Sequence, residues 1–198
     1  DGHEFSNDHT RAWIKNRRPI TNTGIGVDLS RNWNSQWGVA QASFVPTNNH
    51  FVGLGPFSEP ETRLLSSYIE AISSNLVGVL SFRAFGQRLI IPFAHTDQHI
   101  YNYNEMLTIG RRAMGSLSVR YNTHYQVGNS VEVHDGATGV LADWVKFRFN
   151  PPIAATFNLR DEGQWGYTIP VNQVLPSCEE TYDAIMAIIR EAKFINVL

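Results

Sequence analysis

The segment VLSFRAFGQ, residues 79–87, places an arginine directly after an apolar stretch. The stretch from Leu76 to Phe82 has the length of a buried or edge strand, and three further runs of strand length follow it along the chain. These runs are Arg88 to Phe93, Thr123 to Val127 and Ala154 to Leu159. We therefore predict four strands, with Arg83 and Asn158 at or near the carboxyl ends of two of them.

Helix-start signals occur around these strands. Ser58-Glu59-Pro60-Glu61 combines a capping serine, a first-turn proline and a glutamate, and the apolar spacing from Leu64 to Ile72 predicts an amphipathic helix. Ser177-Cys178-Glu179-Glu180 repeats the capping box, and a third helix is predicted from about Tyr103 to Leu117. Alternating strands and helices are typical of an α/β layer structure with a mostly parallel sheet, whose functional residues gather at the carboxyl ends of strands.

The composition excludes several classes of protein. With 198 residues, 42% of them hydrophobic and 17% charged, the chain is long enough to bury a core, and one domain is expected. A net charge of -2 provides no basic surface for nucleic acid or for a membrane surface. No apolar run approaches the length of a membrane span. The chain starts at Asp1, which is the pattern of a processed product or of one piece of a longer protein.

Two features invite a chemical interpretation. Cys178 is the single cysteine, so no disulfide can form within the chain. Its predicted place in the first turn of a helix favours the thiolate, and the thiol is either inert and partly buried or bonded to another chain. The segment from His95 to His99 has metal-like spacing, but it follows a strand and Pro92 and is predicted to be a loop.

The segment GVDLSRNW, residues 26–33, resembles the G-V-D-x-N-R-N-W motif of zinc metallocarboxypeptidases of the carboxypeptidase A/B type. Further matches follow the order of that family's motifs and cover almost the whole chain. They are Asp1-Gly2, Trp13 to Pro19, Phe57 to Thr62, Leu80 to Gln87, Ala137 to Trp144 and Thr156 to Gly166. The resemblance implies a mixed, mostly parallel eight-stranded sheet with helices on both faces. Residues 1–198 would form the later part of that one domain, and the front part, with the H-x-x-E pair of zinc ligands, would be a separate N-terminal segment.

The resemblance also locates the family's chemical residues, and several of them differ here. The third zinc ligand, a histidine, falls on Arg83, and the catalytic glutamate falls on Asn158. The tyrosine that closes over the substrate falls on Asp135, or on His134 if the alignment shifts by one residue. No catalytic position of this part of the family pattern is therefore intact.

Other positions imply a site for a substrate or an anion. Its members by resemblance are Arg17, Ser30, Arg31, Arg83, Ala142 and Thr156. Ser30 replaces an asparagine that holds the substrate's terminal carboxylate, and Ala142 makes the floor of the side-chain pocket small and uncharged. Alternatively, Arg17 and Arg31 have a structural role and pair with buried carboxylates such as Asp28 or Asp161. If the arginines bind a ligand together with Arg83, that ligand is a carboxylate or another small anion.

These substitutions predict the loss of peptidase chemistry. A guanidinium has no lone pair for a metal, so Arg83 cannot ligate zinc, and the amide of Asn158 cannot act as a general base. We expect the protein to bind no metal and no other cofactor. We also expect it to be secreted and to have a binding, storage or structural role. The alternative is an active zinc metallocarboxypeptidase with unorthodox ligands, for which zinc would be the cofactor. Expected partners are the separate N-terminal segment and peptide C-termini or small anions.

Overall fold

A computed structural model of the protein describes residues 1–133 and 136–198. The chain divides into two compact units. The first comprises Asp1–Leu76 and Asp135–Asn150, and the second comprises Val77–His134 and Pro151–Leu198. Whether they form the single predicted domain stays a prediction.

The second unit is built on a four-stranded mixed sheet. Its strands are β1 (Gly78–Arg83), β2 (Arg88–Ile91), β3 (Gln126–Asn129) and β4 (Ile153–Asn158), in the order β1-β4-β2-β3. β1 pairs with β4 in parallel, β2 pairs with β3 in parallel, and β2 pairs with β4 antiparallel. All six residues of β4 are buried, as the apolar run from Ala154 predicts for a strand with neighbours on both sides.

Two long helices supply most of the remaining core of this unit. They are α3 (Tyr103–Tyr121) and α6 (Val171–Phe194), which pack against each other. Their buried apolar side chains, including Met106, Ile109 and Ile188, form one cluster with Leu89 and Phe157 of the sheet. A short helix, α4 (Ser130–Val133), follows β3. The predicted α/β fold with a mixed sheet is therefore confirmed, and four of its strands lie in the described residues.

The first unit holds helices and loops around buried polar groups. Its helices are α1 (Gly2–Asp8), a 3-10 turn (Leu29–Arg31), α2 (Pro60–Ile72), a second 3-10 turn (Ser73–Asn75) and α5 (Leu141–Phe149). The amide of Asn32 donates to the carbonyls of Val52 and Gly55, and its Oδ1 accepts from Thr62 Oγ1 at 2.7 Å. Such a network fixes the loops because every buried polar group in it needs its partner.

Three sequence-based boundaries are corrected. Glu59, not Ser58, is the N-cap of α2, and the Ser58 hydroxyl donates to the Glu59 carboxylate instead of capping the helix. β3 begins at Gln126, three residues later than predicted from Thr123. α6 begins at Val171, so the expected capping box at Ser177 lies inside the helix. Pro176 removes only one backbone donor near the beginning of a 24-residue helix, which therefore continues through it.

The start of α6 also overturns the placement of Cys178. The residue lies in the third turn of the helix and not in the first, so the free N–H groups of the helix end are not beside its thiol. The thiol is exposed, not partly buried. A disulfide to another chain stays a prediction. No helix among the described residues is long and apolar enough to cross a membrane.

Two glycines of α3 offer a matched test of helix-to-sheet packing. A Cβ on Gly110 would lie 2.6 Å from Val127 Cγ1 and 2.9 Å from Leu89 Cδ2, whereas a Cβ on Gly115 would meet nothing within 4 Å. Gly115→Ala should stabilise the protein by about 0.5–1 kcal/mol through helix propensity. Gly110→Ala should destabilise it by roughly 1–3 kcal/mol because the added methyl overpacks the core. Urea unfolding measures both, and equal stabilisation by the two changes would contradict the packing.

Candidate functional site

A row of three polar side chains lies at one end of the sheet. Asn158, the last residue of β4, pairs with Arg83 of β1 on one side and with Arg88 of β2 on the other. Side chains at paired positions of neighbouring strands point to the same face of the sheet, so the amide lies between two guanidinium-bearing residues. The predicted strand-end positions of Arg83 and Asn158 are confirmed, and the sheet brings them together.

Asn158 and Arg88 are both left with an unsatisfied polar atom. Asn158 is only 6% exposed, and its Oδ1 has no hydrogen-bond partner. The buried Nε of Arg88 has none either, and within residues 1–133 and 136–198 the Arg88 side chain has no carboxylate partner. Unsatisfied buried donors and acceptors cost free energy, and their occurrence at one place indicates a functional site.

Gly86 allows the Arg88 side chain to approach the backbone closely. A Cβ on this residue would lie 3.0 Å from Arg88 Nη1 and 3.6 Å from Asn158 Nδ2. The backbone φ of Gly86 is +132°, a value that residues with a side chain rarely adopt. A side chain at this position would therefore crowd the Arg88 guanidinium, which packs against the Gly86 backbone.

The loop after β4 fixes the turn that carries Gly86. The Gly86 N–H donates to the Asp161 carbonyl at 2.8 Å, and the Gln87 N–H donates to the Leu159 carbonyl at 3.1 Å. The Phe85 ring packs edge-on against Tyr167 with ring centroids 5.3 Å apart. The turn between β1 and β2 is thus held to the segment that follows β4, and the row of Arg83, Asn158 and Arg88 has a rigid surround.

Asp161 is the centre of that loop. Its carboxylate accepts hydrogen bonds from the backbone N–H groups of Gly163, Gln164, Trp165 and Gly166, at 2.6 to 3.0 Å. Burial raises the pKa of this carboxyl, but the four N–H groups outweigh burial and leave the pKa below its ordinary value of 3.8. Asp161 therefore binds backbone and is not the arginine partner that the sequence allowed.

Arg31 and Ser30 both contact Asp28 in the first unit, and Arg31 forms a buried ion pair with it. Arg31 Nη1 lies 2.5 Å from Asp28 Oδ2, and Arg31 Nε donates to the Gln41 carbonyl at 2.7 Å. The Ser30 hydroxyl donates to Asp28 Oδ1. Arg31 and Asp28 are both buried. This geometry favours the structural alternative for Arg31, in which a buried carboxylate neutralises the guanidinium.

The other predicted site residues lie partly in the first unit and partly in β4. The Arg17 guanidinium stacks on the Phe5 ring at 3.6 Å and near Trp13 at 4.7 Å, which is a cation–π arrangement and not an ion pair with Asp28. Ala142 is buried in α5 of the same unit. Thr156 is buried in β4, two residues before Asn158 and on the same face. Asp135 and its alternative, His134, lie outside the described residues.

The residues of the strand-end row do not fit zinc. The metal needs ligands with lone pairs, and guanidinium groups offer only donors. In the described part of the chain, no three His, Cys, Asp or Glu residues are arranged to hold a metal ion. His95 to His99 forms a loop, as predicted, and His99 Nε2 lies 3.0 Å from Glu132 Oε1.

Sequence reasoning missed Arg88. The sequence identifies Arg88 only as the beginning of a strand, and its position beside Asn158 follows from antiparallel pairing between segments about 70 residues apart. The one usable signal was a charge at the edge of an apolar run. A charged residue at that position is either a solvated strand end or a site residue, and the sequence does not distinguish the two.

The architecture and the motifs agree with known relatives. The zinc carboxypeptidase family profile matches residues 1–184. The chain is 35% identical over 190 residues to carboxypeptidase O of Homo sapiens, covering 96% of this chain and 50% of that protein. It is 35% identical over 195 residues to a zinc carboxypeptidase of Simulium vittatum, covering 98% of this chain and 64% of that protein. The chain belongs to the zinc carboxypeptidase family.

Solved structures agree with this assignment. Carboxypeptidase A from Helicoverpa armigera superposes with a TM-score of 0.88 at 25% identity, covering 97% of this chain and 49% of that one. Bovine thrombin-activatable fibrinolysis inhibitor, solved in complex with tick carboxypeptidase inhibitor, has the same fold, with a TM-score of 0.91 at 24% identity over 67% of its chain. The chain thus spans one half to two thirds of the length of these relatives.

Asp161→Asn tests the charge at the centre of the loop. Asparagine tolerates the positive φ of this residue, so the change removes the charge and leaves the backbone conformation accessible. We expect a loss of roughly 2 kcal/mol at pH 7, since charge-assisted hydrogen bonds are weakened. The lowered pKa means that the stabilisation is complete above the ordinary pKa of aspartate and is lost as the pH falls through the folded value.

The measurement is urea unfolding of both proteins at several pH values. The difference in unfolding free energy should shrink below pH ~4. Glu162→Gln, on the exposed neighbouring residue, is the matched control and should leave stability within about 0.5 kcal/mol. A difference that is the same from pH 7 to pH 2 would contradict the role of the carboxylate.

Proposed function

We propose that the protein is a catalytically inactive member of the zinc carboxypeptidase family with a ligand-binding role. The observation that carries the proposal is the pairing of Arg83 with Asn158 at neighbouring strand ends. These are the positions at which the family resemblance expects a zinc ligand and a catalytic glutamate. A cation and a neutral amide in those places can orient an anion, but they can neither hold a metal nor take a proton from water.

Magnitudes support the loss of both functions. A unit positive charge about 4 Å from Zn²⁺ costs roughly 8 kcal/mol at an effective dielectric constant of ~20. A complete structural zinc site contributes ~10–16 kcal/mol, so Arg83 would cancel much of it. A general base commonly contributes ~10²–10⁴ in rate, and Asn158 offers none.

The proposed ligand is a small anion or the C-terminal carboxylate of a peptide, bound outside the cell. The arginines of the predicted site differ in how well their surroundings would allow them to bind an anion. Arg31 is neutralised by Asp28 and Arg17 is stacked on aromatic rings, and Arg83 lies at a strand end beside Asn158. The ligand-binding role is therefore assigned to the second unit and to the end of its sheet.

An active zinc carboxypeptidase is the second candidate, and the family match over residues 1–184 favours it. Zinc analysis and a hydrolysis assay on C-terminally blocked and free peptides separate the two candidates. We expect no stoichiometric zinc and no release of C-terminal residues. Stoichiometric zinc, together with hydrolysis that a chelator abolishes, would show an active zinc carboxypeptidase and contradict the proposal.

Reversion variants sharpen that test. In protein that includes the front part of the domain, Arg83→His with Asn158→Glu should restore zinc uptake if that part supplies the other ligands. Neither single change should restore hydrolysis, because the metal and the base are both required. Arg190→His, on an exposed arginine of α6, is the control for adding a histidine and should take up no zinc at this site.

We further propose that a separate N-terminal segment covers apolar surfaces of both units. On α2, the outward-facing Leu64 and Tyr68 are 68% and 61% exposed, although their spacing predicts an apolar packing face. β1 is an edge strand in the described sheet, and Phe82 on it is also exposed. Exposed edges and apolar patches of this kind invite pairing with another chain.

Sedimentation of the 198-residue chain tests this proposal. The chain alone should self-associate, and Leu64→Lys with Tyr68→Lys should reduce the association because both changes remove apolar surface. Glu70→Lys, an exposed polar position on the same helix, serves as the charge control. A compact, monodisperse monomer of the unmodified chain would contradict the proposal.

A further inference from the structure

Within the described residues, the outer edge of β3 has no partner strand. β3 is the last strand in the order β1-β4-β2-β3, and its other edge pairs with β2. The Gln126 N–H donates to the Gln87 carbonyl at 2.9 Å, so the backbone groups of Gln126 face β2. Because the backbone groups of successive strand residues point to opposite sides, the N–H and C=O of Val127 face the free edge. An edge of this kind is a template for another strand.

Neighbouring residues confirm this alternation. The His124 carbonyl, on the side of β2, accepts a hydrogen bond from Gln87 Nε2 at 3.0 Å. The Asn129 N–H, on the outer side, donates to the Glu132 carboxylate at 2.9 Å. Asn129 thus has its partner, whereas in residues 1–133 and 136–198 no hydrogen bond engages the N–H or C=O of Val127. The open part of the edge is therefore the backbone around Val127.

A groove of about 450 Å³ lies along this edge, between α3 and α4. Helix α3 packs on the face of β3 that carries the Val127 side chain, whose Cγ1 would lie 2.6 Å from a Cβ on Gly110. Helix α4 lies on the other face, because a Cβ on Gly128 would lie 3.0 Å from Val133 Cγ1. One face of α3 lines the groove with Arg111, Met114, Gly115 and Ser118. A strand edge beside a helix-lined groove is an arrangement that binds extended peptides.

The edge and its groove are preformed. The Tyr125 ring stacks on Phe157 with ring centroids 5.4 Å apart, and its hydroxyl donates to the fully buried Glu180. A Cβ on Gly115 would meet nothing within 4 Å, so this part of the α3 wall leaves space for a side chain from outside. A segment that binds at a fixed edge beside open space does not have to order the protein, which lowers the cost of binding.

The charges along the groove favour an acidic partner. On the α4 side, the Glu132 carboxylate already accepts hydrogen bonds from the Tyr103 hydroxyl and the Asn129 N–H, and it contacts His99. On the α3 side, Arg111 is exposed, and within the described residues it forms no ion pair. A bound segment with an aspartate or a glutamate would supply a carboxylate for Arg111, whereas a basic segment would be repelled.

We propose that the edge of β3 binds an extended peptide segment that carries an acidic side chain. The segment would add to the sheet beside β3, with its backbone hydrogen-bonded to the N–H and C=O of Val127 and its acidic side chain paired with Arg111. An extended backbone fits this edge because it presents donors and acceptors at the spacing of the strand. The inference goes beyond the proposed binding of an anion at the strand-end row and does not depend on it.

Fluorescence polarisation with a labelled peptide, Thr-Val-Glu-Val-Thr, tests the site. Fluorescein on its N terminus and an amide on its C terminus leave no terminal carboxylate for the strand-end row or for hydrolysis. The unmodified protein should bind this peptide. Arg111→Glu should weaken binding roughly fivefold and should prefer a peptide with lysine in place of the glutamate. Arg190→Glu, on a 66% exposed arginine side chain, makes the same change of net charge and should bind like the unmodified protein.

Backbone pairing gives an independent signature. In an added strand the N–H groups of alternate peptide residues point to β3, so N-methylation of one alternate set should weaken binding roughly tenfold and N-methylation of the other set should not. Val127→Pro should also abolish binding, and the sheet tolerates proline there because the lost N–H faces the free edge. In the complex of the unmodified protein, hydrogen exchange of the Val127 N–H should slow, and this measurement does not require any variant to fold.

Several results would overturn the site. Equal binding of the two N-methylated peptides, or unchanged exchange at Val127 in the saturated protein, would show that the peptide binds elsewhere, for example at the edge of β1. Equal affinity of the unmodified protein for the glutamate and lysine peptides would remove the acidic preference. Absence of binding at millimolar peptide, together with self-association that Val127→Pro abolishes, would assign the edge to a second copy of the chain. None of these results bears on zinc uptake or hydrolysis, so the inactive function is tested separately.

Discussion

The central position of β4 is the constraint on which the site depends. Because β4 is buried along its whole length and pairs in parallel with β1 and antiparallel with β2, its last residue must lie between the end of one strand and the beginning of another. A shift of one residue in either pairing would turn the side chain of Arg83 or Arg88 to the other face. The register of one strand therefore decides which charges surround Asn158.

Buried polar groups hold the segment after β4 in place. The Arg160 guanidinium binds the fully buried Glu180 of α6 and donates to Gln173 at 2.7 Å and to Thr123 at 3.0 Å. Asp161, the next residue, organises the following loop through four backbone N–H groups. Breaking a buried pair of this kind commonly costs ~3–5 kcal/mol. The strand end is rigid because its neighbours in sequence are anchored to a helix and to their own backbone.

The matched family motifs serve the fold more than the chemistry. Arg31 neutralises Asp28, Asn32 joins the loop at Val52 and Gly55 to Thr62 of α2, and Asp161 accepts hydrogen bonds from backbone amides. These roles need particular residue types at particular places whether or not a reaction takes place. Arg83 and Asn158 lie at positions where the family resemblance expects chemistry, and there the chain has a cation and a neutral amide.

The sequence alone determined the four strands, the helices α2 and α3 within a few residues, the existence of α6 and the strand-end positions of Arg83 and Asn158, because apolar periodicity and local signals specify them. It placed the beginning of α6 wrongly, since a capping box at Ser177 can be overridden by packing further along the helix. Only the tertiary structure decided that Arg31 pairs with Asp28, that Asp161 binds backbone and that Arg88 lies beside Asn158. Those relations join residues from separate turns or strands, and no local pattern encodes which of them meet.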